Sequence, residues 1–276
     1  MNTAKVATVL APQPASPAQL VSLRSVSKTF SNGIVALENM SLDIRQGEFL
    51  SLLGPSGCGK STALRIIAGL GDTTSGSVEW PGAKADAGDR PEPEIGFVFQ
   101  EPTLMPWATV FNNVWLPLRL RRISKRVARD QVMEALGMVG LEKFADSYPR
   151  ELSGGMKMRV SIARALITRP KLLLMDEPFA ALDEITRFKL NDDLLDLWQK
   201  FGWTVVFVTH SVFESVYLSE RIVVMAARPG RVVADLEIDA PYPRGEAFRT
   251  STPYNEYCRQ TSDALHGAIM ATAAGQ

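Results

Sequence analysis

Apolar residues along the chain fall into two kinds of short run. From Leu20 they alternate with polar ones, Val21 and Leu23 first and then Met40, Leu42 and Ile44. That period of two predicts half-buried antiparallel strands at a sheet edge. Phe49–Leu53 is instead apolar throughout except for Ser51, and it stops at Gly54, as a strand covered on both faces does. Ile95–Phe99, Leu172–Met175 and Thr204–Val208 repeat the continuous form, with helix-like stretches between them. Strand and helix in alternation predict an α/β fold with a mostly parallel core sheet and an antiparallel β edge. Between Gln100 and Leu152 no strand-like run occurs, and the spacing of Val127, Val132, Leu136 and Val139 predicts an inserted helical subdomain over about 101–165. After Gly230 there is room for roughly one strand and one or two helices, too little for a second domain of ordinary size.

Composition narrows this further. The chain has 276 residues, 46% of them hydrophobic, which fits one domain carrying an inserted lobe. Residues 1–19 are rich in Ala, Pro, Gln, Ser and Thr and read as a disordered lead. Lys+Arg and Asp+Glu each number 30, so no global charge argues for nucleic acid or an acidic membrane as partner. Cys58 and Cys258 are far apart, and His210 and His266 are the only histidines, which makes a zinc site or a disulfide framework a poor fit. No apolar run reaches 18 residues, and the short one after Lys5 is broken by Pro12, Pro14 and Pro17. Neither a membrane span nor a secretory signal is expected, and the chain is placed on the cytoplasmic side.

The chemistry begins after the buried strand. Gly54, Pro55, Ser56, Gly57, Cys58, Gly59, Lys60 and Ser61 have the spacing of a phosphate-binding loop, and Thr62 continues into a helical pattern that runs to Leu70. Glycines let successive backbone N–H groups turn inward around a phosphate, and the helix adds its unpaired N–H groups and positive dipole end. Lys60 brings a charge for the β- and γ-phosphates, and the Ser61 hydroxyl can ligate Mg²⁺. Cys58 sits inside this loop, so a bulky thiol reagent is expected to inactivate the protein and Mg-ATP to protect it.

A second buried run ends Leu174-Met175-Asp176-Glu177-Pro178. The C-terminal edge of an open α/β sheet is where ligands sit. Asp176 there suits the metal, and Glu177 suits the orientation and activation of a water. Two acidic residues opening a loop would mean little alone. Beside the phosphate loop they carry weight.

Ser153-Gly154-Gly155, between these motifs, would by itself be a helix N-cap with a flexible entry. In this order the three motifs make the chain from about Leu20 to Ala240 resemble the nucleotide-binding subunits of ABC transporters. The resemblance implies a cassette over 20–242 with a C-terminal helical tail over 243–276. It implies ATP and Mg²⁺ as cofactors and a head-to-tail dimer of two copies. In that dimer Ser153, Gly154 and Gly155 of one copy bind the γ-phosphate held by the other. It further implies that Gln100 reaches the Mg²⁺ and the water, that Asp183 couples the two sites, and that His210 contacts the γ-phosphate. Phe30 is similar to the aromatic that stacks on adenine.

Met156 stands where the family most often has Gln, which removes a side-chain amide and leaves the backbone amides and Ser153 in place. Met there, together with Leu104-Met105-Pro106-Trp107 and Ala227-Arg228-Pro229-Gly230-Arg231, is similar to the importer branch for nitrate, sulfonate and taurine. The resemblance thus implies integral membrane permease subunits and an extracytoplasmic solute-binding protein as partners, no nucleic acid, and a peripheral place on the cytoplasmic face of the inner membrane. A non-transport ATPase of the same fold, acting on ribosomes or DNA, usually carries two cassettes or a long coiled coil, and neither is present here. The basic run Arg119, Arg121, Arg122, Lys125, Arg126 and Arg129 reads best as a solvated helix face, with phospholipid headgroups or an acidic partner loop as the alternative.

Overall fold

A computed structural model describes residues 18–81, 94–227 and 229–273. Most of the lead and Arg228 therefore lie outside the described residues. Gln19 belongs to the first strand, however, and the carbonyl of Ala18 accepts a hydrogen bond from the Gln46 amide at 2.8 Å, so the small sheet begins slightly before residue 20.

The alternating runs become β1 (Gln19–Thr29) and β2 (Val35–Arg45), which pair antiparallel. They are joined on β1's other side by β4 (Ser75–Glu79), a polar strand that hydrophobic patterning does not reveal. These three form a sheet of their own rather than an edge of the main one. The main sheet has the order β5-β6-β7-β3-β8-β9. In it β3 (Phe49–Leu53), β5 (Ile95–Val98), β6 (Leu172–Asp176), β7 (Thr204–Thr209) and β8 (Arg221–Ala226) run parallel, while β9 (Arg231–Glu237) closes one edge antiparallel.

Successive residues of β3 serve opposite cores, which explains its unbroken apolar run. Phe49 and Leu53 join the helical side, and Phe49 meets Trp198 edge-on at 5.8 Å between ring centroids. Leu50 and Leu52 face the other way, toward Leu23 and Met40 of the small sheet and Leu64 of α1 (Lys60–Ile67). The small sheet is also clipped to the β8–β9 turn. The Gly230 amide donates to the Ala36 carbonyl at 3.1 Å, and the Glu38 amide donates to the Gly230 carbonyl at 2.9 Å.

Between β5 and β6 the chain forms α2 (Val110–Leu120), α3 (Lys125–Met138) and α4 (Gly154–Leu166), with 3-10 turns between the last two. Each helix starts at a hydroxyl cap, the side chains of Thr109, Ser124 and Ser153 accepting from backbone amides of the first turn. Val132, Leu136 and Val139 are buried as their spacing predicts, but Val127 is 69% exposed: it lies in the first turn of α3, outside the packed stripe. The basic run is solvated but is not one helix face. It wraps the corner from the end of α2 to the start of α3.

The main sheet is completed by α5 (Glu184–Phe201) and α6 (Val212–Leu218), and the chain ends in α7 (Glu246–Arg249) and α8 (Thr252–Ala273). This last stretch is no loose appendage. Tyr254, Cys258 and Ala268 are buried in the main core. Arg244 is buried too, and its guanidinium donates to the carbonyls of Val216, Tyr217 and Ser219, the otherwise unpaired C-terminal end of α6.

Candidate functional site

The phosphate loop begins where β3 leaves the core. Gly59 has φ of +93°, and a Cβ there would lie 2.7 Å from the Ala36 carbonyl oxygen, so the spot admits glycine alone. Lys60, the first residue of α1, is buried and folds back over the loop. Its ammonium donates to the carbonyls of Gly54 at 2.8 Å and Pro55 at 3.0 Å. Ser56 and Gly57 are exposed at the loop's crest, where a phosphate would arrive.

Cys58 differs from its neighbours. It is fully buried, its Sγ stands 3.9 Å from Lys60 Nζ, and burial pushes its thiol pKa up despite the nearby ammonium. The thiol is thus shielded, and the inactivation expected from sequence requires the loop to open first. Labelling of Cys58 by a bulky maleimide, followed by peptide mapping, should run at least about tenfold slower than in the urea-unfolded chain, and slower again with Mg-ATP. Equal rates in the folded and unfolded chains would contradict this burial.

Across the sheet, Asp176 ends β6 and Glu177 follows it. The Ser61 hydroxyl donates to Asp176 Oδ1 at 2.8 Å. Burial raises the Asp176 pKa, the Ser61 hydrogen bond opposes that, and the charge of Glu177 adds to it. Glu177 has φ of 45°, a left-handed conformation that costs a non-glycine residue about 1–2 kcal/mol. Its amide is held by the Val208 carbonyl at 3.0 Å. The turn aims the carboxylate between two cationic or polar groups: Oε1 is 3.6 Å from Lys60 Nζ, and Oε2 is 3.2 Å from His210 Nδ1. His210 reaches this point from the end of β7, which pairs with both β3 and β6. Lys60, Ser61, Asp176, Glu177 and His210 therefore converge at the carboxyl ends of three adjacent parallel strands, where such sheets bind ligands.

Other expected residues stand apart from this cluster. Gln100 is exposed, two residues beyond Val98, whose register partner is Met175. It is placed beside the cluster without a hydrogen bond to it among the described residues. Phe30 is half-exposed at the end of β1, with Lys28 Nζ 5.7 Å from its ring centroid. Ser153 caps α4, its hydroxyl oxygen accepting from the Met156 amide at 3.3 Å. Gly155 packs so closely on the start of α5 that a Cβ would lie 2.6 Å from Thr186 Cγ2. Asp183 caps that same helix, accepting from the Thr186 amide at 2.9 Å, which lowers its carboxyl pKa. No hydrogen bond or ion pair among the described residues joins Ser153–Gly155 to Lys60 or Glu177. Met156 is half-buried against the main core.

Comparison with known proteins decides what this arrangement is. The profile of a family described as ABC transporter matches residues 37–180. An uncharacterized ABC transporter ATP-binding protein of Methanocaldococcus jannaschii is 48% identical over 239 residues, 87% of either chain. The chain belongs to the ABC transporter family. An aliphatic sulfonates import ATP-binding protein of Bacillus cereus is 44% identical over 229 residues, 82% of this cassette and 89% of that protein. Among solved structures, a dimeric ATP-binding cassette in a post-hydrolysis state with ADP and Pi matches with a TM-score of 0.70 at 39% identity, over 80% of this cassette and all of that chain. A cassette of the cbiONQ transporter complex of Clostridium perfringens matches with a TM-score of 0.73 at 26% identity, over 88% of this cassette and 99% of that chain. The cassette is an ATP-binding ATPase, and no helix among its described residues is long and apolar enough to cross a membrane.

Two side chains around the site went unnoticed in the sequence. Arg164 of α4 donates to the Pro102 and Thr103 carbonyls and to the Thr103 hydroxyl, pinning the segment after Gln100 to the helix that Ser153 caps. Glu214 lies buried beneath His210. Its sequence signal is a lone acid in the otherwise apolar or small stretch Val212–Leu218 of a short helix.

Proposed function

We propose that the cassette works as a head-to-tail dimer and drives import of a small anion or organic nutrient of the nitrate, sulfonate or taurine type. The observation that carries the hydrolytic part is the convergence of Lys60, Ser61, Asp176, Glu177 and His210 at one sheet edge. Lys60 and the amides of the loop neutralise the β- and γ-phosphates, which requires the ammonium to leave the carbonyls it now holds. Glu177, facing the spot between Lys60 and His210, orients the attacking water and accepts its proton. His210 contacts the γ-phosphate, and Gln100, just beyond β5, serves the water and the metal.

The oxygens of Ser61 and Asp176, in mutual contact, suit Mg²⁺, which takes few protein ligands besides phosphate oxygens and water. When bound there, Mg²⁺ supplies charge neutralisation at the β- and γ-phosphates.

In the dimer the N-terminus of α4 at Ser153–Gly155 meets the phosphate held by the other copy, as a helix N-terminus can, and the dimeric form of solved cassettes similar to this chain supports that arrangement. Asp183, beside that trio, serves the same contact, and Phe30 stacks on adenine. The sulfonate-import relatives support the solute class, and permease subunits and a solute-binding protein follow from an importer. The cassette would then sit peripherally on the cytoplasmic face of the membrane. Co-expression with the permease and solute-binding protein encoded beside it, followed by ATP-dependent uptake of labelled taurine, alkanesulfonate or nitrate into vesicles, tests the reading. Uptake of none of them defeats the assignment of solute.

The docking face is set by the segment after Gln100. Leu104 packs partly into the core, whereas Trp107 is 76% exposed on a loop pinned by Arg164 and by Asn113, which bonds the Met105 amide and carbonyl. A large aromatic on a fixed loop fits an apolar groove or helix of a membrane partner. Trp107→Ala should shift the stability of the isolated cassette by no more than about 0.5 kcal/mol and leave its basal ATP turnover intact. Co-purification with the permease should weaken, or hydrolysis should uncouple from uptake. Normal assembly and uptake in this variant would refute the docking role.

A further inference from the structure

Beneath His210 lies a buried polar cluster that hydrolysis as outlined does not use. The Thr209 hydroxyl donates to Glu214 Oε2 at 2.6 Å and accepts from the Ser211 amide at 3.0 Å. One hydroxyl thus grips the backbone on both sides of His210. Glu214 is 8% exposed, and burial raises its pKa. Its other oxygen faces Arg187 of α5, with 3.9 Å between Oε1 and Nε. Arg187 in turn donates to the Leu182 carbonyl at 2.9 Å, the residue just before Asp183. Among the described residues, Glu214 Oε1, Arg187 Nε and Asn191 Oδ1 are buried without a hydrogen bond.

An acid placed in a core for packing alone would be a costly choice. Here it instead joins two functional corners, His210 at the end of β7 and Asp183 at the start of α5. We propose that Glu214 is a positioning residue for ATP hydrolysis: through Thr209 it fixes the His210 ring against Glu177, and through Arg187 it ties that ring to the Asp183 corner. The inference rests on the hydrolytic reading of His210 given above. The gap to Arg187 gives the device travel. Closing it by about 1 Å makes a charge-assisted hydrogen bond and draws the Asp183 corner toward His210. No stored strain is needed, only two groups that are buried and short of a partner.

The cassette has only two histidines, so imidazole ¹⁵N NMR reads His210 directly, with His266→Gln supplying the assignment. The test uses the full chain, first without nucleotide. Thr209→Val keeps the shape of a buried strand residue and removes the donor. It should shift the His210 ring signals while those of His266 stay in place. Glu214→Ala should do the same, and Glu214→Gln, which keeps an oxygen acceptor for Thr209, should return the signals toward wild type. With Mg-ATP, Thr209→Val should lower kcat about tenfold and leave KM within twofold, the split expected when the lost contact acts only in the transition state. Thr209→Val also covers the case in which Glu214→Ala fails to fold. His210 signals that coincide with wild type in Thr209→Val overturn the proposal, and so does a kcat within twofold of wild type. A wild-type cassette that hydrolyses no ATP would instead defeat the hydrolytic reading, while the His210 signals would still judge the positioning.

Discussion

Glu177→Gln should leave the cassette able to bind ATP but lower its turnover by about two to four orders of magnitude, the range in which a general base contributes. The substitution keeps the shape and the hydrogen-bonding oxygen that faces His210. It removes the charge that lies 3.6 Å from Lys60 and 3.2 Å from the imidazole. Because the left-handed turn at Glu177 is fixed by the backbone bond to Val208, the new side chain should occupy the same position. ATP would then persist between two copies, and a sizing column run with Mg-ATP should show a dimer where the wild type runs mostly as a monomer. Turnover like that of the wild type would remove Glu177 from the chemistry.

Lys60→Ala should fail one step earlier, at binding. A buried ammonium that meets phosphate oxygens makes charge-assisted bonds of about 1.5–3 kcal/mol, so affinity for Mg-ATP should fall roughly 10- to 100-fold. The same change leaves the Gly54 and Pro55 carbonyls without their donor. A modest loss of melting temperature should therefore accompany the loss of binding. Titration calorimetry at a temperature well below the transition separates the two effects. Unchanged affinity would show that the loop does not hold phosphate through Lys60.

Much of this architecture was legible because it depends on short-range rules. Continuous apolar runs marked β3, β6 and β7, since both faces of those strands are covered, and they marked β5 as well, although it is an edge strand with Ile95 and Phe97 half-buried. Glycine spacing marked the phosphate loop, where backbone crowding at Gly59 leaves no choice of residue. What escaped depends on contacts between distant segments. β4 is polar and exposed, so its membership of the small sheet comes from pairing with β1, not from its own pattern. The alternating strands looked like one edge of a single sheet, because alternation reports a covered face and says nothing of which sheet covers it. Val127 was grouped with the apolar period but lies one position before Ala128, where the buried stripe of α3 begins, so it points away from the core. The C-terminal stretch was read only as a helical tail, yet Arg244 from it ends α6. The site followed the same division. Motif order located Lys60, Asp176, Glu177 and His210, whereas Glu214 and Arg187 are paired only by the packing of α5 on α6.

The clip between Gly230 and β2 makes the small antiparallel sheet and the phosphate loop a single mechanical unit, since β2 also supports the loop at Gly59. In the proposed reading, a nucleotide with its base on Phe30 and its phosphates on Lys60 would be gripped at both ends by this one unit. Among the described residues, the helical lobe is joined to the main sheet by the stretch between β5 and α2 and by the short return from α4 to β6. In the dimer proposed above, a lobe that moved against the sheet would pivot next to Gln100 and would carry Trp107 just beyond the pivot.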